Sequence, residues 1–303
     1  MAKKKSFVVQ TVKDLENKKQ QEIQAQLQKE IEAQKNKENQ TQVTSPEPGQ
    51  ELPASPIPRY IWQTYKDDYE KLPDYAKDVS KTWILLNQGW DYNYLNDTAA
   101  AEFVKREYGD EWYDIWSNVP VGVMKADLWR YMVVYKYGGM YADLDTICKV
   151  PIDYWLPNFG PGCKFVVCVE NQVHMANWTF IGAPGHPFLG HLLDMIKERF
   201  KNAQEYYDNN PHFVHALTAN GIFTEAYLDF IGVESTDLVS DIQKFNASPK
   251  AQEHGIVCAP SWRFFHWEVV HHLYGSIHWN DGQYVRWIEE RQQKNPVLEY
   301  DVV

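Results

Sequence analysis

The sequence lacks several features that would place it in a common functional class. No basic cluster occurs in its folded part, and the 303-residue chain carries a formal net charge of −11. An acidic chain of this kind binds phosphate backbones poorly, so we expect no nucleic acid partner. A run of about 18 apolar residues is also missing, so we expect no integral membrane segment.

Cysteine is scarce and irregularly spaced. The four cysteines form neither a C-x-x-C motif nor a regular disulfide pattern, which predicts reduced thiols packed as small apolar groups: Cys148, Cys163, Cys168 and Cys258. The apolar run after the N-terminal lysines, residues 7–9, is too short for a signal peptide. These absences predict a cytoplasmic protein and leave peripheral association with a membrane open.

The N-terminal part of the chain differs in composition from the rest. Residues 1–45 contain no Trp, Tyr, Gly or Pro, and their apolar residues form only a thin stripe among charges. We predict a polar tail that is disordered or weakly helical and is a candidate for weak self-association. Residues 46–56 are rich in proline and predict an extended linker, so a single folded domain is expected over residues 57–303.

Strand and helix patterns alternate along that domain. Strands are predicted at residues 59–63, 90–95, 164–169, 178–181 and 256–259, and helices at residues 72–87, 98–108, 124–135 and 186–200. We expect Asp97 to cap the second helix, Gly109 to end it, and residues 220–221 to interrupt a later helical region over 211–230. This alternation predicts an α/β fold with a mostly parallel sheet flanked by helices, whose ligands bind beyond the carboxyl ends of the strands.

The central feature of the sequence is a helix, a double glycine, a short strand and then two carboxylates, over residues 122–145. Side chains at i and i+2 on an extended backbone point the same way, so Asp143 and Asp145 are expected to converge. Two convergent carboxylates are costly unless a cation sits between them. Oxygen ligands suit Mn²⁺ or Mg²⁺, and we therefore predict a metal–diphosphate site.

Asp127 and Arg130 lie three residues apart near the start of the preceding helix. On a helix surface such a pair contributes only a few tenths of a kcal/mol. Beside the carboxylate pair, we interpret it as a helix edge that faces the ligand. Asp127 would accept hydrogen bonds from hydroxyl groups, and Arg130 would donate to hydroxyl groups or phosphate.

Five segments in this order resemble glycosyltransferase family 32: I-P-R-Y-I-W-Q-T-Y at 57–65, K-A-D-L-W-R-Y at 125–131, Y-K-Y-G-G-M-Y-A-D-L-D at 135–145, G-A-P-G-H-P-F at 182–188 and H-H-L-Y-G-S-I-H-W at 271–279. The resemblance spans roughly residues 57–280. It implies a GT-A-type fold, a nucleotide-sugar donor, a divalent metal and retention of anomeric configuration. The expected activity moves a hexose, with mannose favoured, from GDP-mannose or a UDP-hexose to a glycan, lipid or polysaccharide acceptor.

The resemblance also assigns roles by position. Asp143 and Asp145 would hold the metal and through it the diphosphate, and Asp127 and Arg130 would contact the donor sugar. Trp62 would stack on the base, and the remaining donor-binding candidates are Gln63, Thr64, Tyr141, Ser276 and Trp279. Residues 275–279 are one residue longer than the family's G-S-x-W, which leaves open which side chain completes the metal or phosphate shell: His272, Ser276, His278 or Trp279. Of these, His272 or His278 is the candidate metal ligand. His212 and His215 are expected to be structural.

Two other interpretations of the carboxylate pair stay open. Residues 143–146 also satisfy the D-x-D-x-T pattern of haloacid-dehalogenase-type phosphatases, in which Asp143 would be the nucleophile. In those enzymes a clear apolar strand precedes the motif, whereas here the double glycine leaves a run of three residues. The second alternative is a non-catalytic sugar-binding scaffold that assembles through its tail. For the transferase, the sequence names no protein nucleophile.

Overall fold

The structure, a computed structural model, describes residues 55–259 and the strand Val270–His272. The predicted tail over residues 1–45, the linker up to residue 54, and the candidate residues Ser276, His278 and Trp279 lie outside the described residues. Within the described part of the chain, no helix is long and apolar enough to span a membrane. All four cysteines are free and buried, as their spacing predicts.

A central sheet organises the described residues. The strands are β1 (Tyr60–Thr64), β2 (Asp91–Leu95), β3 (Gly139–Ala142), β4 (Thr146–Cys148), β5 (Phe165–Val167), β6 (Thr179–Gly182), β7 (Ile256–Cys258) and β8 (Val270–His272). Six of them form one sheet in the order β2-β1-β3-β6-β5-β7, and β4 pairs with β8 in a separate ribbon. In the large sheet only β6 runs against the others, because its pairings with β3 and β5 are the antiparallel ones. The predicted α/β fold with a mostly parallel sheet is confirmed.

Helices cover both faces of this sheet. They are α1 (Asp74–Leu86), α2 (Asp97–Asn118), α3 (Gly122–Tyr137), α4 (Ile152–Trp155), α5 (Pro187–Phe200), α6 (Ala203–Asn209), α7 (Phe213–Leu217), α8 (Asn220–Ile231), α9 (Ile242–Asn246) and α10 (Pro249–His254). Short 3₁₀ helices occur at Tyr69–Lys71 and Leu156–Phe159. Alternate residues of β1 enter opposite layers, since Ile61 joins the layer of Trp83 whereas Trp62 joins the layer of Trp129.

Helix α3 is buried on nearly all sides, which the sequence did not predict. The pattern indicates one apolar face, but Trp129, Val133 and Val134 of the remaining surface are also buried. The helix lies in the larger core layer between the sheet and helices α2 and α5. Polar side chains on this helix are therefore forced to find partners inside the protein.

Three helix boundaries differ from the predicted ones. Asn96, not Asp97, caps α2, because its side-chain oxygen accepts from the amide of Ala99 at 2.8 Å. The helix kinks at Gly109 but resumes to Asn118, because Trp112 on the far side of the kink packs into the core. Later in the chain, Asn220 begins α8 instead of interrupting a helix.

The double glycine between α3 and β3 positions the carboxylate pair. Gly138 and Gly139 have φ values of 68° and 101°, a region that residues with a side chain rarely adopt. A Cβ atom at Gly139 would lie 2.5 Å from the carbonyl oxygen of Tyr60. Glycine therefore allows β3 to start in close contact with β1 and to deliver the following aspartates to the carboxyl edge of the sheet.

Candidate active site

Asp143 and Asp145 lie on the turn between β3 and β4, not on an extended strand as predicted. The turn is closed at Asp143, whose carbonyl oxygen accepts from the amide of Thr146 at 3.1 Å and from its hydroxyl at 2.5 Å. The side-chain amide of Gln63 adds a third hydrogen bond to the same oxygen at 3.0 Å. The two carboxylates are thus brought together by a fixed turn instead of by strand alternation.

Two buried side chains, Tyr141 and Arg130, hold the carboxylate of Asp143. Its Oδ1 accepts from the hydroxyl of Tyr141 at 2.5 Å and lies 3.1 Å from Nη2 of Arg130. The Arg130 guanidinium also lies over the Tyr141 ring, 4.7 Å from its centroid. The Asp143 side chain is 25% exposed whereas that of Arg130 is 4% exposed. A buried cation and a buried phenol therefore orient a carboxylate that solvent reaches.

Asp127 is fully enclosed by protein partners. Its Oδ1 accepts from the Asn177 side-chain amide at 3.1 Å and lies 3.2 Å from Arg130 Nη2, while Oδ2 accepts from the Thr218 hydroxyl at 3.0 Å. Burial raises the pKa of Asp127, the charge of Arg130 lowers it, and the charge of Asp143 raises it further. The Asp127–Arg130 pair is therefore a buried network and not a surface ion pair.

Arg130 joins the two carboxylates. Besides its contacts to Asp127 and Asp143, its Nη1 donates to the carbonyl of Asn177 at 2.9 Å. Burial alone would lower the pKa of Arg130, but the charges of Asp143 and other neighbours raise it above its ordinary value. The guanidinium is permanently charged and its position is set by protein acceptors. The side chains of Arg130 and Asp127 are buried, whereas that of Asp143 is partly exposed. The predicted direct contact of Arg130 and Asp127 with the donor sugar therefore stays a prediction.

Asp145 completes the carboxylate pair. It is partly buried, and burial together with the charge of Asp143 raises its pKa well above the ordinary value. Two carboxylates that disfavour each other's charge, with oxygen atoms as the only donors, fit a hard divalent cation. No group of three or more His, Cys, Asp or Glu side chains within residues 55–259 is arranged to hold a metal ion.

The backbone of β8 approaches this turn. In the β4–β8 ribbon the Cα partner of His272 is Thr146, the residue directly after Asp145. Residue 272 is therefore next to the carboxylate pair in the register of the ribbon, which keeps it as a candidate metal ligand. His278 lies outside the described residues.

The predicted donor-binding residues of β1 are buried among protein atoms. Trp62 is buried, its Nε1 donates to the carbonyl of Gly138 at 2.8 Å, and its ring stacks on Tyr137 with centroids 5.9 Å apart. The alternation of β1 directs the Trp62 ring into the core layer, so this packing does not support its predicted stacking on a base, which stays a prediction. The side chains of Gln63 and Thr64 are also buried and bond protein atoms.

An aromatic cluster that the sequence reasoning missed lies beside the carboxylate turn. Leu144, between the two aspartates, is buried with Leu72 and Ala76 against four partly buried tyrosines: Tyr65, Tyr69, Tyr75 and Tyr94. Burial raises the pKa of Tyr75, and the nearby Tyr65 and Asp145 raise it further. Tyr65 is the first residue after β1, and that position at a strand's carboxyl end was the available signal.

The chain is similar to known glycosyltransferases. Residues 73–159 match the family model described as "Glycosyltransferase sugar-binding region containing DXD motif". The chain is 28% identical over 196 residues to the initiation-specific alpha-1,6-mannosyltransferase of Schizosaccharomyces pombe, covering 58% of this chain and 49% of that protein. It is 30% identical over 137 residues to inositol phosphoceramide mannosyltransferase 1 of the same yeast, covering 44% of this chain and 40% of that protein.

The matched parts thus span about half or less of these relatives. Among solved structures, the PaToxG glycosyltransferase aligns with a TM-score of 0.43 and 14% identity over 81% of this chain and 88% of that chain. The segment that matches the family model, residues 73–159, contains Asp127, Arg130, Asp143 and Asp145. Together with the relatives, it confirms the resemblance to glycosyltransferase family 32 that the sequence motifs indicate.

Proposed function

We propose that this protein is a metal-dependent retaining glycosyltransferase that transfers a hexose from a nucleotide sugar to a hydroxyl group of a glycan, lipid or polysaccharide. One observation carries the proposal: a solvent-reaching Asp143 carboxylate is fixed by Arg130 and Tyr141 at the carboxyl edge of the sheet, inside the segment that matches the DXD family model. Both relatives described above are named mannosyltransferases, which favours mannose and GDP-mannose over a UDP-hexose.

Asp143 and Asp145 are the residues that would hold Mn²⁺ or Mg²⁺. Their carboxylate oxygens are suitable ligands, and the mutual cost of their charges would be offset by a cation. When bound, the metal supplies Lewis acidity that stabilises the negative charge of the departing diphosphate. His272 or His278 is the further ligand in this proposal, and the register opposite Thr146 supports His272.

Arg130 and Asp127 prepare the site electrostatically. Arg130 holds Asp143 in one orientation and keeps a positive charge close to the place where the diphosphate would lie. Asp127 contributes a buried negative charge, which suits the oxocarbenium character of the transition state in glycosyl transfer. Both are also proposed to bind hydroxyl groups of the donor sugar, as the family resemblance implies. No protein nucleophile is assigned.

We propose the tyrosine cluster as the platform for the nucleobase because the ring of Trp62 is buried, and Trp62 stays the alternative platform. Tyr65 and Tyr75 are partly buried, and the charge of Asp145 contributes to the raised pKa of Tyr75. A base stacked there would leave its diphosphate directed towards the carboxylate turn. Stacking on an aromatic ring tolerates different bases, which is consistent with either a guanine or a uracil donor. The cytoplasmic location and the self-association of the tail stay predictions from the sequence.

The decisive experiment measures release of nucleoside diphosphate from GDP-mannose and from UDP-hexoses with Mn²⁺, with Mg²⁺ and with chelator. The proposal expects release that needs the metal and disappears in Asp143→Asn and in Asp145→Asn. Release that persists in both variants contradicts it. A phosphatase would instead form a covalent phosphate on Asp143 and turn over simple phosphate esters. Sugar binding without turnover of any donor would favour the scaffold.

A further inference from the structure

Gln63 is a fully buried amide near the carboxyl end of β1. Strand alternation places its side chain on the same face as Ile61, whose core layer contains Trp83 of helix α1. An amide removed from solvent needs a donor for its oxygen and an acceptor for its nitrogen, because an unpaired buried polar group is costly. Gln63 has both partners, and one of them belongs to the carboxylate turn.

The two hydrogen bonds of Gln63 fix its orientation. Its Nε2 donates to the carbonyl oxygen of Asp143 at 3.0 Å, and its Oε1 accepts from the hydroxyl of Tyr92 at 2.8 Å. A carbonyl oxygen only accepts, so it selects the nitrogen end of the amide and leaves the oxygen end to the hydroxyl. Burial raises the pKa of Tyr92, so the hydroxyl keeps the proton that it donates. The amide therefore connects β2 to the turn in one orientation.

The Gln63 side chain continues the hydrogen bonding of the sheet beyond the end of the backbone ladder. Strands β1 and β3 pair as far as Trp62 and Tyr141, and Asp143 lies two residues further along the chain. At that point the amide of Asp143 donates to the carbonyl of Trp178 at 2.8 Å, while its own carbonyl accepts from Gln63. The main chain of Asp143 is thus fixed on both sides where the turn begins.

The position of the Asp143 carbonyl also constrains Asp145. The peptide group is planar, so the direction of this carbonyl determines where the chain continues into Leu144. The same oxygen closes the turn by accepting from the amide and the hydroxyl of Thr146. Gln63 therefore acts on the arrangement of the two aspartates through a main-chain atom. A site that is already arranged loses less conformational freedom when its ligand binds.

We propose that Gln63 is a positioning residue for metal binding, which together with Tyr92 holds the turn over residues 143–146 in its metal-binding arrangement before the metal arrives. The inference rests on the proposed function, because it takes Asp143 and Asp145 as the residues that would hold the metal. It differs from the donor contact that the family resemblance implies for Gln63, which stays a prediction. A donor contact would require the amide to give up one of its two protein partners.

The first test needs no metal. Amide hydrogen exchange is measured by NMR on the full chain in chelator, for wild type and for Gln63→Met, which has a similar shape but lacks both hydrogen bonds. The amide of Thr146 reports on the turn, because it donates to the Asp143 carbonyl. We expect it to exchange about fivefold faster in the variant, the effect of one lost hydrogen bond. Unchanged exchange at Thr146 overturns the proposal.

Asn246→Leu is the matched control. Asn246 is also an amide that bonds the main chain with both ends, since its Nδ2 donates to the Cys258 carbonyl at 2.9 Å and its Oδ1 accepts from the Cys258 amide at 2.8 Å. These bonds lie at β7, the edge strand farthest from β2. Asn246→Leu is expected to accelerate exchange at Cys258 but not at Thr146, and Gln63→Met the reverse. Equal acceleration of both amides in Gln63→Met overturns the proposal, because it indicates general loosening.

Tyr92→Phe tests the same connection if Gln63→Met does not fold. It removes only the hydroxyl, so the Gln63 amide loses the partner that selects its orientation. Exchange at Thr146 is expected to become about twofold faster, less than after removal of the amide itself. Exchange at the wild-type rate in a folded Tyr92→Phe variant overturns the role of this hydroxyl in the proposal.

Metal binding is measured next, by titration of Mn²⁺ followed by EPR. The dissociation constant of Mn²⁺ is expected to rise about tenfold in Gln63→Met, which is the scale for a residue that orients a metal ligand. In Asn246→Leu it is expected to stay within about twofold of wild type. Wild-type affinity for Mn²⁺ in Gln63→Met overturns the proposal.

Kinetics then separates positioning from donor contact. In saturating Mn²⁺, diphosphate release by Gln63→Met is expected to recover to within about threefold of wild type, with an unchanged KM for the donor. A raised donor KM in saturating Mn²⁺, together with wild-type Mn²⁺ affinity, would favour the donor contact and overturn positioning. A wild-type chain that neither binds Mn²⁺ nor releases diphosphate would refute the proposed function. Exchange at Thr146 would still decide whether Gln63 positions the turn.

Discussion

Nη2 of Arg130 lies 3.1 Å from Oδ1 of Asp143. The buried guanidinium thus anchors a carboxylate that is partly exposed to solvent. The same nitrogen lies 3.2 Å from Asp127. One buried charge therefore determines the orientation of a metal-ligand candidate and balances a second carboxylate. Removing the Arg130 charge leaves the negative charges of Asp127 and Asp143 to repel each other without a countercharge between them.

Arg130→Met is expected to lower the free energy of unfolding by about 3–5 kcal/mol, because it leaves buried carboxylates without their countercharge. Urea unfolding measures this loss. Arg106→Met is the matched control, since Arg106 is exposed and pairs with Glu107 on the surface, where solvent screens the pair, and its effect on stability is expected to be much smaller. Arg130→Lys keeps the charge but not the fork of donors, and diphosphate release is expected to fall about 100-fold. Equal stability of the two Met variants would contradict the buried network.

Asp145→Asn is expected to have opposite effects on stability and activity. Without metal, the Asp145 charge is disfavoured by burial and by Asp143, so the amide is expected to raise the free energy of unfolding. Metal-dependent release of diphosphate is expected to disappear. Thermal unfolding in chelator and the release assay in Mn²⁺ measure the two effects. A variant that is destabilised in chelator would contradict this prediction.

Tyr65→Ala is expected to weaken nucleotide binding by about 1–3 kcal/mol, the usual loss when a stacked base loses its aromatic platform. Calorimetry with GDP and with UDP measures it. Trp62→Phe is the comparison, because Trp62 is buried and bonds the Gly138 carbonyl. That variant is expected to lose about 1 kcal/mol of stability with unchanged nucleotide affinity. The reverse result would support the base-stacking role of Trp62 instead of Tyr65.

His186 is expected to make the fold sensitive to acid. Its Nδ1 accepts from the amide of Phe188 at 3.3 Å, its Nε2 is 3.1 Å from the carbonyl of His254, and the side chain is buried. Burial lowers the pKa of His186 from 6.5 to about 4. The unfolded chain therefore binds the proton first, so stability is full above pH 6.5 and is lost as pH falls from there towards 4.

The expected loss from this one histidine is about 2 kcal/mol between pH 7 and pH 5. Urea unfolding at the two pH values measures it in wild type and in His186→Gln. The variant cannot bind the proton, so its stability is expected to change less by that amount. Identical changes in the two proteins would show that other groups cause the acid sensitivity.

The sequence predicts those parts of the site that lie close together along the chain. The carboxylate pair, the Asp127–Arg130 spacing and the glycine stop before β3 are all local patterns with a physical meaning. The other partners of Asp127 are not local, since Asn177 and Thr218 lie 50 and 91 residues further along the chain. No periodicity links such positions, and only the packing of α3 against β6 and α7 brings them together.

Strand alternation has a similar limit. It states that Ile61 and Trp62 face opposite sides, but both sides of a sheet covered by helices are apolar, so it does not say which side meets a ligand. The sequence pattern predicts that a helix ends at Gly109, because glycine commonly follows a helix. The burial of Trp112 beyond it carries the helix past the kink.

The pairing of β4 with β8 has a consequence for biosynthesis. The turn that carries both aspartates is flanked by a strand whose partner, Val270–His272, is translated more than a hundred residues later. On the ribosome, Asp143 and Asp145 therefore emerge long before the segment that flanks them. The nascent chain therefore passes through a stage in which both aspartates have been synthesised but strand β8 has not. The site is completed only after translation has passed residue 272.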